Sequence, residues 1–109
     1  MVAVLAAGCG SHGSSVPDGA RTVAVRGEAF RYSPEEVTVR RGESVAIELG
    51  AVDVEHDYVS DELDLHVHAG AGETQRGGLT AATAGTYTVY CSISGHRDAG
   101  MEGRIVVTP

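Results

Sequence analysis

The chain is expected to fold as an all-β domain, a Greek-key β-sandwich or barrel. Three observations carry this expectation. Short runs rich in Val, Thr and Ile alternate apolar with polar residues at period two, as strands with one buried face do. Gly, Pro and acidic turn residues separate the runs at short intervals. No stretch before Gly50 carries the apolar period of an amphipathic helix.

In chain order, residues 22–30 (TVAVRGEAF) form the first alternating run, with Gly27 a candidate bulge. Tyr32-Ser33-Pro34 reads as a break. Residues 37–40 (VTVR) alternate again, Arg41-Gly42-Glu43 is a turn, and 44–49 (SVAIEL) resume the alternation. Residues 52–58 read as a strand or strand-like loop, 63–68 as a short extended piece, and 73–80 as a strand interrupted by Gly77-Gly78. Residues 86–91 (TYTVYC) are a well-marked strand, and 104–108 (RIVVT) close the series.

Three segments are expected. Residues 1–9 are an apolar run without a charged side chain, ending in Gly8-Cys9. They resemble the tail of a bacterial lipoprotein signal peptide, which implies that Cys9 is the first mature residue and carries the lipid. A start codon placed too far downstream would explain the missing basic region. The run is too short to span a bilayer. Residues 10–20 (GSHGSSVPDGA) have linker composition and a reach of about 20 Å. His12 lies there as a solvated linker residue. Residues 21–109 form the folded domain, within the size of one core.

Charge narrows the partners. Fifteen acidic residues against eight basic ones, all Arg, give a net charge of −7. That balance argues against nucleic acid and anionic membrane surfaces as direct partners.

The chemistry concentrates in Cys91-Ser92-Ile93-Ser94-Gly95-His96-Arg97-Asp98-Ala99-Gly100-Met101, a C-x4-H-x4-M loop. A thiolate and an imidazole suit a borderline or soft transition metal, and a thioether adds a weak soft ligand that calcium and magnesium ignore. That mixture points to copper. One more imidazole completes a His2Cys site with an axial Met, and His56 in VEHDY is the best placed. Gly95 and Gly100 each precede a proposed ligand, where the loop must bend back. The bland alternative is a buried inert cysteine, a surface histidine and a core methionine with no shared purpose. A Cys9–Cys91 disulfide is a second alternative, disfavoured because Cys9 belongs to the leader.

In these residues the sequence is similar to the cupredoxins, the small blue-copper proteins of the plastocyanin, azurin and rusticyanin group. The similarity spans residues 22–108. It rests on FRYSPEEVTV with Gly42, on Glu55-His56-Asp57-Tyr58, and on GTYTVYC through Met101-Glu102-Gly103. It implies a cupredoxin-type sandwich holding one Cu(I)/Cu(II) ion, with His56, Cys91 and His96 equatorial and Met101 the weak axial ligand. It also implies that the outer edge of His96 is the electron's exit. Asp57 stands where many members have Asn.

Two further features were weighed. His66 and His68 form an H-x-H pair, which in multicopper oxidases serves a trinuclear cluster needing more imidazoles than the five here. They read as same-face, exposed strand residues, with an auxiliary metal site as the sharper alternative. Asp53, Glu55, Asp57, Asp61, Glu62 and Asp64 read as a solvated acidic face. The sharper alternative there is a patch that steers a basic redox partner.

The expected protein is a monomeric blue-copper electron carrier outside the cytoplasm, in the periplasm or at the cell surface, tethered by a lipid on Cys9. It is not expected to be an enzyme. Its partners would be a c-type cytochrome or a membrane oxidase or reductase. The rival readings are a periplasmic copper chaperone or store using the same ligands, and a metal-free interaction module.

Overall fold

The computed structural model describes residues 15–109. Nine strands follow one another: β1 (Arg21–Glu28), β2 (Arg31–Ser33), β3 (Glu36–Arg40), β4 (Ser44–Ala51), β5 (His56–Ser60), β6 (Leu65–Ala69), β7 (Thr74–Thr80), β8 (Gly85–Tyr90) and β9 (Glu102–Thr108). They form two sheets, ordered β2-β1-β4-β7 and β3-β9-β8-β5-β6. Both sheets are mixed, because β1 runs parallel to β4 and β3 parallel to β9. The described residues contain no helix.

The alternating runs bury their apolar members between the sheets. Val25, Val45, Ile47, Leu49 and Leu79 from one sheet meet Val37, Val39, Tyr58, Val67, Val89, Ile105 and Val107 from the other. Each such side chain contributes on the order of 1.5–3 kcal/mol by leaving water. The chain changes sheet after β2, β3, β4, β6 and β7, so residues distant in sequence meet at the ends of the sandwich.

Several local expectations are corrected. Tyr32 does not break the chain: β2 pairs with β1 through Arg26↔Ser33, Gly27↔Tyr32 and Glu28↔Arg31, and the Tyr32 ring is buried. Gly27 is not a bulge, since its pairing with Ala51 continues the β1–β4 register. Gly77 and Gly78 do not interrupt β7, which pairs with β4 along its length. They are glycines because of close approach: a Cβ on Gly77 would lie 2.6 Å from Val67 Cγ2, and one on Gly78 1.8 Å from the Ser15 carbonyl oxygen. Residues 52–54 are not strand, because the Asp53 carboxylate accepts from the amides of Ala29 and Val54. The residues after it form β5, which extends to Ser60.

Gly103 has the same close-approach role at the start of β9, where an added Cβ would sit 2.6 Å from the Glu35 carbonyl oxygen. Backbone cannot yield as a side-chain tip can. Gly103→Ala is therefore expected to cost about 1–3 kcal/mol, read as a lower urea midpoint at unchanged m-value.

Candidate metal centre

The site forms where β5 and β8 part. The two strands pair through Val59↔Tyr90. Continuing that register would set Tyr58 opposite Cys91 and Asp57 opposite Ser92. Instead, the Asp57 side chain enters the gap. Its Oδ1 accepts from the Ser92 amide at 2.6 Å, and its Oδ2 accepts from the Ser92 hydroxyl. The Asp57 amide, which the partner strand leaves without a carbonyl, donates to Cys91 Sγ at 3.5 Å. Tyr32 Oη donates to the Asp57 carbonyl. A carboxylate thus holds the cysteine end of β8 to the histidine end of β5, with bonds of the stronger, charge-assisted kind.

Three of the four proposed ligands present donor atoms to one point. A nitrogen of His56, the sulfur of Cys91 and a nitrogen of His96 all lie within 4.8 Å of one another. His96 Nδ1 is 3.5 Å from Cys91 Sγ, and the His56 and His96 ring centroids are 5.1 Å apart. His56 and Cys91 are fully buried, and His96 keeps an exposed edge.

Second partners aim the His56 ring. Its Nε2 is 2.9 Å from Asp53 Oδ1, so the proton sits on that side and Nδ1 keeps its lone pair. That Nδ1 is buried with no partner among the described residues. A buried, unpaired nitrogen beside a thiol and a second imidazole is costly unless something fills the gap. Behind the ring, a Cβ on Gly27 would lie 3.1 Å from His56 Cδ2, so glycine gives the imidazole its room.

The ligand loop is tied at its base and turned at its tip. The Cys91 amide donates to the Met101 carbonyl at 3.2 Å, and the Met101 amide to the His96 carbonyl at 3.1 Å. Gly95 and Gly100 have φ of +83° and +106°, the left-handed values expected beside the ligands. Met101 is fully buried in the core cluster at the entry to β9.

Electrostatics separate the two sides of the site. Burial pushes the Cys91 thiol up, so the metal-free protein holds it protonated near neutral pH. The hydrogen bond to His56, followed by the amide of Val54, lowers Asp53 to about 2. The Cys91 thiol is free of any disulfide.

Other sequence expectations fare differently. Cys9 and His12 lie outside the described residues. His66 and His68 share the outer face of β6, and each meets a carboxylate: His66 Nε2 lies 3.2 Å from Asp57 Oδ2, and His68 Nε2 2.5 Å from Glu55 Oε2. The acidic face is corrected at one position. Asp53, Glu55, Asp61, Glu62 and Asp64 are exposed, whereas Asp57 is buried. Two contributors were not anticipated, Ser92 and Phe30. Phe30 stands edge-on to His96 with centroids 5.0 Å apart. It sits in a two-residue hairpin turn in which both Ala29 (φ +45°) and Phe30 (φ +74°) are left-handed.

A sandwich with a thiol, two imidazoles and a buried thioether at one end is the architecture of a small copper protein. The chain belongs to the cupredoxin-like domain family, whose pattern it matches over residues 1–107. It is 29% identical to the copper-resistant cuproprotein CopI of Rubrivivax gelatinosus, over 93% of this chain and 79% of that one. Auracyanin B shares the fold at a TM-score of 0.74 and 23% identity, covering 89% of this chain and 96% of its own. The periplasmic domain of cytochrome oxidase subunit II (CoxB) of Bradyrhizobium japonicum shares it at 0.70 and 18%, covering 86% and 88%. The donor set fits a soft-to-borderline ion, and the cofactor is one copper ion.

Two outcomes follow from this geometry. Gly27→Ala presses the added methyl on the His56 ring and is expected to weaken copper binding roughly tenfold while the domain stays folded, as chelator competition and circular dichroism would report. Copper competes with a proton for the Cys91 sulfur. Affinity is therefore expected to fall about tenfold for each pH unit between 8 and 7, and Cys91→Ser to remove that proton's share of the slope.

Proposed function

We propose that this protein is a mononuclear type 1 copper protein that carries single electrons between redox partners outside the cytoplasm. The observation that carries the reading is the buried donor set: three donor atoms converge on one point, held by Asp57, Asp53 and the closed loop base. A site that barely moves between oxidation states has little reorganisation to overcome. His56 Nδ1, Cys91 Sγ and His96 Nδ1 would hold the copper, with the Met101 thioether as a weaker fourth donor. Copper supplies the one-electron couple. The chain's own residues do the rest. The Asp57 amide holds the sulfur, Asp53 holds the His56 tautomer, and the exposed edge of His96 faces the partner beside Phe30.

The protein acts as a carrier and not as an enzyme. A c-type cytochrome or a membrane oxidase or reductase fits as its redox partner. Cys9 serves as the lipid attachment point that keeps the domain at the membrane outside the cytoplasm. The likeness to CopI favours a second reading, in which the same four residues hold copper as a chaperone or store.

Absorption and EPR spectra of the Cu(II)-loaded protein separate the two. The carrier reading expects an intense blue thiolate-to-copper band with narrow copper hyperfine splitting, lost in Cys91→Ser, and rapid one-electron exchange with a small redox protein. A colourless, tetragonal Cu(II) spectrum, with tight binding confined to Cu(I), would overturn it in favour of the chaperone reading.

A further inference from the structure

Electron transfer as proposed above makes no use of the histidines on β6. One of them is nevertheless linked to the site. Asp57 is 2% exposed, and its amide bonds Cys91 Sγ. Its carboxylate spends two contacts on Ser92 and a third on His66, whose side chain is 51% exposed. A hydrogen-bonded line therefore runs from water through His66 to Asp57 and on to the peptide group that touches the sulfur. His68 Nε2 meets the carboxylate of Glu55, which is exposed.

We propose that His66 is a positioning residue that couples the metal centre to pH. Its affinity for a proton from water rises when the centre gains one electron, and falls again when the electron leaves. The inference rests on the electron-carrier reading. The electron comes from a one-electron redox protein, the proton from solvent, and no bond to a ligand is broken. The physical cause is charge. The Asp57 carboxylate beside the sulfur favours the more positive, oxidised centre. An imidazolium on Oδ2 offsets that charge and favours the reduced one, and by linkage reduction favours the proton.

Histidine is the side chain whose charge changes between about pH 5 and 8, whereas carboxylates titrate well below that window. The ionisable groups around His66 are few. Asp57 faces it from β5, and His68 with Glu55 lies two residues along the same face. Asp61, Glu62 and Asp64 occupy the β5–β6 turn. Tyr90 on β8 bonds Asp61 and lies under Arg97. On β7, Arg76 is turned to Glu48 and Thr22 of its own sheet. His68 is the other imidazole on this face of β6, which makes it the natural control.

The test is a potentiometric titration of the copper-loaded, full-length protein from pH 5 to 8, with the blue band recorded at each pH, for wild type, His66→Gln, His68→Gln and Asp57→Asn. The wild-type potential is expected to fall as pH rises. If reduction raises the proton affinity of His66 roughly tenfold, the fall between its limits is about 59 mV. His66→Gln should flatten that dependence while keeping the band, Asp57→Asn should flatten it, and His68→Gln should retain it. A flat wild-type profile, or an unchanged slope in His66→Gln, overturns the proposal. Loss of the blue band in the wild type itself overturns the carrier reading, and the coupling with it. Proton NMR of the metal-free protein gives an independent reading: the His66 titration should move in Asp57→Asn, and an unmoved titration counts against the coupling.

Discussion

The parting of β5 from β8 at Asp57 is the constraint on which the site depends. A continued ladder there would place Cys91 and Ser92 in ordinary strand geometry, with the sulfur turned into the core and the following loop free. By inserting its side chain, Asp57 ends the ladder and satisfies the orphaned Ser92 amide. It also frees its own amide for the sulfur. A buried carboxylate is expensive unless its oxygens are bonded, and here both are. The same group therefore opens the sheet, seals the opening, and places a negative charge beside the thiolate.

The remaining supports act through other elements. Asp53, on the β4–β5 connection, bonds the His56 ring with one oxygen and the Ala29 amide with the other, so the β1–β2 hairpin and the first histidine move together. Gly27 supplies the space behind that ring, and Tyr32, across the hairpin, bonds the Asp57 carbonyl. One sheet thus braces ligands that belong to the other. The arrangement makes the centre a property of the whole sandwich, and the C-x4-H-x4-M loop supplies only part of it.

Much of this was readable in the sequence, and the limits have physical reasons. Alternation located most of the strands, because period two survives wherever one face is buried. The glycines misled at Gly27, Gly77 and Gly78. A glycine required by close approach looks, in one dimension, like a glycine that breaks a strand, and the neighbour that demands it lies far along the chain: His56 for Gly27, Val67 for Gly77. The ligand loop was visible because thiol, imidazole and thioether are rare and local. Asp53 was visible only as a member of an acidic run, and Asp57 as a member of that run standing where many cupredoxins have Asn, since nothing in spacing distinguishes a solvated carboxylate from one that faces Ser92 or a ring nitrogen. Phe30 carried no signal at all, because its contact with His96 exists only once the hairpin folds over the loop.

That hairpin sets a limit on stabilising the protein. Its two central positions are left-handed, a conformation in which Asn-Gly is comfortable and Ala-Phe is not. A consensus-minded engineer optimising thermal tolerance would rewrite Ala29-Phe30 first. The rewritten chain would lose the ring that stands edge-on to His96. Robustness and the packing beside His96 draw on the same two residues, so a more durable version of this domain has to find its gains elsewhere.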